Sequence, residues 1–235
     1  MLLTDYFRST PDVTWEFARQ CGVEHGTIRL PEDAEFDPAC REHWRSVYKR
    51  FTDHGIRPVV IEPMPNSLHD HIKAGDAMRD ECIDKVIKMF AVMDELDVRT
   101  ICFNFMAHVG WTRTSSELPE RGGAKVTGFR LADYVPGNAH ITETELWDNY
   151  AYFIKAVLPE AEKHGIKLAL HQDDPPIAKL GEVSRIMISA ENMEKAVRTV
   201  ADSPSLGLTF CQATYYMMGE DLYKVIPEIM ALWDQ

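Results

Sequence analysis

The chain has 235 residues, 45% of them hydrophobic, and its 37 acidic against 25 basic side chains leave a net charge of −12. That length suits one sizeable domain with a real core, spanning 1–235. The charge argues against nucleic acid or an anionic membrane as the main partner, because no basic patch is available to neutralise phosphates. No apolar run approaches the roughly 20 residues of a membrane span, and Met1 to Tyr6 lacks the basic and apolar regions of a signal peptide. Cys21, Cys40, Cys82, Cys102 and Cys211 are odd in number and form no CxxC pair, which speaks against a disulfide framework or a zinc knuckle and fits a reducing cytoplasm.

Met1 to Asp5 reads as a short first strand. Thr10 as a cap and Pro11 at a first helical position predict a helix that runs to Cys21 and stops at Gly22. His25 to Leu30 reads as a second strand, broken by Pro31. Trp44, Val47, Tyr48 and Phe51 recur at helical spacing between Pro38 and His54, with Gly55 as terminator. Arg57 to Ile61 is a third strand, and the stretch through His69-Asp70-His71 reads as loop. Ile83, Val86, Ile87, Phe90 and Met93 predict a helix over 77–96.

Thr100 to Phe105 is a fourth strand. Met106 to His140 shows no clear periodicity, and so long a loop in a compact domain is more often functional than filler. Thr142 and Glu145 make a capping box for a helix that ends at Gly165. Lys167 to His171 is a fifth strand, stopped by Pro175-Pro176. Ser189 caps a helix to Ala201, Leu206 to Cys211 is a sixth strand, and Gly219 to Trp233 is a final helix that Pro227 kinks or breaks. Strict alternation of six strand–helix units calls for parallel strands with right-handed crossovers. The fold class is therefore α/β, either an open sheet or about six units of a (β/α)8 TIM-type barrel. Neither GxGxxG nor GxxxxGK[ST] occurs, so nucleotide-binding versions of the class lose support.

In such folds the chemistry gathers at strand C-terminal ends. Two of these ends present His171 and Cys211, with Asp173, Asp174 and Asn104 beside them. Imidazole and thiolate together favour a transition metal over magnesium or calcium. The competing readings are a surface histidine in an Asx turn and a cysteine that acts as a small buried hydrophobe. His69 and His71 share one side only if their segment is extended; otherwise they are polar loop residues. Arg113, in Trp111-Thr112-Arg113-Thr114, suits bidentate capture of a carboxylate or an ordinary surface ion pair.

Four segments, in order and at similar spacing, resemble the mannonate dehydratase family. They are Glu62-Pro63 through Gly75 with Arg79-Asp80, then Ile101 to Met106 with Trp111 to Thr114, then His171 to Pro176, and Leu208 to Thr214. The third matches HPDDPP except that Gln172 replaces a proline. The fourth matches CxG[TS] except that Ala213 replaces the glycine. The resemblance implies a TIM barrel of the xylose-isomerase-like group. It also implies dehydration of D-mannonate to 2-keto-3-deoxy-D-gluconate in hexuronate breakdown, with Mn²⁺ or Fe²⁺ as cofactor. The family's metal is held by His, Cys, His and Asp; His171 and Cys211 take the first two places, and the others would fall beyond Gln235. Within this chain, Asp173 or Asp174 would serve in proton transfer and Arg113, beside Trp111, would orient the carboxylate. Asn104 and His69 would bind sugar hydroxyls. Two alternatives stand: a sugar isomerase or epimerase on the same barrel, and a truncated or degenerate relative that binds a sugar acid without turnover. A barrel short of two units leaves two sheet edges and apolar helix faces open, which invites association, a homo-oligomer among the options, or instability.

Overall fold

A computed structural model describes residues 2–233, with side chains described as far as Ile229. Its central element is a six-stranded parallel sheet. In chain order it comprises β1 (Thr4–Phe7), β2 (His25–Ile28), β3 (Arg57–Ile61), β4 (Thr100–Phe103), β5 (Lys167–Leu170) and β6 (Leu206–Leu208), and neighbours in sequence are neighbours in the sheet. All these pairings are parallel. Sequential parallel order with helical crossovers is the layout of a (β/α) barrel wall. The crossovers carry α1 (Val13–Gln20), α2 (Arg41–Asp53), α3 (Asn66–Ala74), α4 (Arg79–Glu95), α5 (Glu143–His164) and α6 (Ala190–Glu194), the last continued by a π-helical turn over Lys195–Val200. After β6 come α7 (Gln212–Met217) and α8 (Leu222–Trp233).

Local chemistry explains most boundaries and corrects several expectations. The expected first strand shifts to Thr4–Phe7, and Met1 lies outside the described residues. Helix α1 starts later than Thr10 suggests, because Asp12 is the better cap and its carboxylate accepts from Thr14 N at 2.8 Å. The capping box of α5 forms as expected, with Glu145 N donating to Thr142 Oγ1 and Thr142 N donating to Glu145 Oε2. The stretch expected as loop around His69 is α3. Leu68 and Ile72, four apart, face the core, and Gly75 ends the helix in the left-handed region at φ 67. A side chain at Gly75 would also collide with Asn149, 2.4 Å from where its Cβ would stand. The expected loop over 106–140 contains a hairpin, Ser115–Pro119 with Lys125–Gly128. Its strands are polar and almost wholly exposed, so they carry no hydrophobic alternation. Helix α8 runs through Pro227.

Side chains alternate across the sheet. In β4, Ile101 and Phe103 face the helices, where Phe103 meets Phe153 of α5 at a ring separation of 6.0 Å. Cys102 faces the other way, and its sulfur accepts from Thr209 Oγ1 at 3.2 Å. The main core lies between sheet and helices and is rich in aromatic contacts such as the stacked Trp15–Phe51 pair. No described helix is long and apolar enough to cross a membrane.

Candidate active site

The C-terminal ends of β4, β5 and β6 are adjacent, and they bring together residues far apart in sequence. His171 follows β5 and Cys211 follows β6. The imidazole acts on the thiol across the two strand ends, and Thr214 Oγ1 donates to Cys211 Sγ at 3.1 Å. His171 and the bonds from Thr214 draw the Cys211 thiol down to about 7 against the opposing effect of burial, so thiolate is abundant near neutral pH. Burial disfavours the His171 imidazolium, but Cys211 and the bond to the Gln172 carbonyl, with the charge of Glu62, outweigh it and raise its pKa. Because a carbonyl only accepts, His171 Nδ1 donates to Gln172 O at 2.7 Å, which puts the lone pair of the neutral ring on Nε2.

That chemistry, a thiolate beside an imidazole whose other nitrogen is fixed by a carbonyl, fits two ligands of a transition-metal site. Among the described residues no group of three or more His, Cys, Asp or Glu side chains is arranged to hold a metal. The described chain therefore offers a pair of donors. Glu62 and Cys102 sit close by. Burial, reinforced by Glu62, drives the Cys102 thiol far up, so it remains a neutral thiol. Sequence reading did not single out Glu62 as a neighbour of this pair, although its place directly after β3 was the available signal.

A second cluster lies on the loop after β4. Arg113 Nη1 and Nη2 donate to Asp174 Oδ1 and Oδ2 at 2.9 and 2.6 Å, and the Arg113 guanidinium lies 4.1 Å from the Trp111 ring centre. The loop is held from beneath by Arg185, 2% exposed, whose Nη2 donates to Val109 O and Gly110 O at 2.9 and 2.8 Å. Asn104 is half-buried at the strand end, and its Oδ1 accepts from Met106 N at 3.2 Å.

Two of the expected site residues are enclosed. Asp173 is 0% exposed, and its Oδ2 accepts from Ile186 N and Met187 N, both at 3.1 Å. Burial raises its pKa, partly offset by Arg185. An enclosed carboxylate engaged with two backbone amides braces the 185–187 segment. His69 lies on the helix side of the sheet, with Phe103, Phe105 and Phe153 at ring separations of 5.8, 5.8 and 5.7 Å. Cys102 and Thr209 mark the opposite face, so His69 does not reach a sugar there. His71 is half-buried and pairs with Asp76 instead.

Six parallel strands in sequence order, with chemistry at their C-terminal ends, define a protein of the (β/α)-barrel class. In fold it is similar to a xylose isomerase domain protein from Planctomyces limnophilus, with TM-score 0.55 and 13% identity over 98% of this chain and 70% of that one. The model of the D-mannonate dehydratase family matches residues 6–135 and 130–232, and the chain belongs to that family. It is 33% identical to a mannonate dehydratase of Streptococcus agalactiae over 74% of this chain and 57% of the relative. It is also 31% identical to one of Streptococcus uberis over 86% and 65%. The crystal structure of mannonate dehydratase from Streptococcus suis serotype 2 superposes with TM-score 0.86 at 25% identity, covering 99% of this chain and 70% of that one. The chain thus spans 57% of the length of the Streptococcus agalactiae relative.

Proposed function

We propose that the protein acts as a metal-dependent hydro-lyase that converts D-mannonate to 2-keto-3-deoxy-D-gluconate in cytoplasmic hexuronate breakdown. One observation carries the reading. His171 and Cys211 stand together at adjacent strand ends, with Asp174 nearby in sequence tied to an arginine–tryptophan pair suited to a carboxylate, in a chain of the mannonate dehydratase family. In this reading the chain supplies about six of a barrel's eight units.

The reaction removes the proton on C2, beside the carboxylate, and the hydroxyl on C3. His171 Nε2 and Cys211 Sγ would hold Mn²⁺ or Fe²⁺, and the chemistry supplied there when bound is Lewis-acid stabilisation of the charge that develops on the carboxylate as C2 is deprotonated. Arg113 binds the substrate carboxylate through its fork, with its cation resting on Trp111. At rest both outer nitrogens of that fork are engaged by Asp174. A substrate carboxylate takes over those bonds and frees Asp174 for proton transfer. Asn104 offers its amide to a sugar hydroxyl.

The experiment incubates the protein and Mn²⁺ or Fe²⁺ with D-mannonate and, separately, with a neutral ketohexose. Formation of the 2-keto-3-deoxy acid from mannonate, with the ketose unchanged, is the expected result. Epimerised ketose with mannonate untouched would replace this reading with a sugar epimerase.

A further inference from the structure

Gln172 stands where the resembled motif has a proline, and it is fully buried. Its surroundings show what it does. Strands β5 and β6 pair in the register Leu168↔Leu206, Ala169↔Gly207, Leu170↔Leu208. In a parallel ladder a residue donates its N–H to the carbonyl before its partner and accepts from the N–H after it. Leu168 N donates to Ser205 O at 2.7 Å and Leu170 O accepts from Thr209 N at 2.8 Å, as that rule requires. The next rung pairs residue 172 with residue 210. It needs a donor for Thr209 O and an acceptor for Cys211 N.

The main chain of Gln172 does not fill that rung, because its carbonyl is taken by His171 Nδ1. Its side chain fills it instead. Gln172 Nε2 donates to Thr209 O at 2.7 Å, and Gln172 Oε1 accepts from Cys211 N at 3.3 Å. The side-chain amide thus stands in for a peptide group and extends the β5–β6 ladder by one rung, up to Cys211. The same residue's carbonyl fixes the ring of His171. A proline side chain has neither a donor nor an acceptor for this rung.

We infer that Gln172 is the positioning residue of the His171–Cys211 pair: its side-chain amide sets the Cys211 backbone while its carbonyl sets the His171 ring. The inference rests on the proposed role of that pair as metal ligands, and it makes this chain's pair depend on a residue the resembled motif lacks. Outer partners of metal ligands typically change affinity by about 10–100-fold when replaced.

The first test needs no metal. In the unmodified protein, NMR should show a Gln172 side-chain amide proton that exchanges far more slowly than that of a free amide. In Gln172→Met the Cys211 amide should lose about tenfold or more of its exchange protection, the size of one buried hydrogen bond, while Leu206 to Leu208 keep theirs. A freely exchanging Gln172 amide, or equal loss along the whole of β6, overturns the inference. The second test titrates Co²⁺ and reads the thiolate-to-cobalt absorption band. Gln172→Met should weaken Co²⁺ about 10–100-fold in the parent and have little further effect in Cys211→Ala. Equal weakening in both backgrounds would reduce Gln172 to a general structural role. If Cys211→Ala binds Co²⁺ like the parent, the metal-ligand reading fails instead, and the exchange result still decides the placement of Cys211.

Discussion

Replacing Asp173 separates its bracing role from the proton-transfer role that its place beside Asp174 suggests. Its Oδ2 takes two backbone amides, Ile186 N and Met187 N, in a fully buried setting. Asp173→Ala leaves both donors without a partner, at about 1–3 kcal/mol each, and leaves the buried Arg185 cation short of a counter-charge. Some of this is regained because a carboxylate no longer has to be buried, so the expected net loss is about 3–4 kcal/mol. That is a large share of the roughly 5–15 kcal/mol that stabilises a typical domain. Asp173→Asn keeps an acceptor for the two amides and should lose only about 1–2 kcal/mol. Urea unfolding followed by circular dichroism measures both. The pH dependence gives a second check. Burial raises the folded carboxyl pKa, so its contribution to stability is present at low pH and is lost as pH rises through that value. Asp173→Asn should therefore flatten that fall. An Asp173→Ala protein within about 0.5 kcal/mol of the parent, yet inactive, would refute the brace and return Asp173 to proton transfer.

Two further outcomes are expected. Arg113→Lys loses the two-pronged grip, and KM for the sugar acid should rise roughly ten- to hundredfold with a smaller change in kcat, as steady-state kinetics would show. A change confined to kcat would point away from carboxylate binding. His69 is buried among aromatic rings, with neither ring nitrogen hydrogen-bonded, and burial, aided by Lys73, holds its pKa well below 6.5. As pH falls below about 6.5 the unfolded chain takes up a proton that the folded chain refuses, so stability drops. His69→Leu should remove that part of the acid limb in thermal unfolding at pH 7 and pH 5, and an unchanged acid limb would contradict the burial argument.

Much of the fold was legible because strand runs such as Lys167 to Leu170 end in residues that cannot continue a ladder, and helices such as α5 carry their own caps. His171 and Cys211 were legible as a pair because parallel order converts a gap in sequence into adjacent strand ends. The expectation failed where long-range packing decides. Asp173 and Asp174 are neighbours in an irregular segment with no period to say which side each takes, and one is enclosed on backbone amides while the other pairs with Arg113. Helix α3 was hidden because His69-Asp70-His71 reads as polar, although Leu68, Ile72 and Gly75 carried the helical signal. The bridge from Gln172 to Thr209 and Cys211 spans 37 and 39 residues, and no local pattern announces it.

The central claim is tested most directly by supplying the protein with Mn²⁺ and D-mannonate and following the 2-keto-3-deoxy acid, with Cys211→Ser run in parallel. The account predicts product from the parent and a strong loss in Cys211→Ser that added Mn²⁺ partly restores. Equal rates in the two proteins would contradict the assignment of Cys211, and absence of product from a protein saturated with Mn²⁺ or Fe²⁺ would contradict the proposed activity itself.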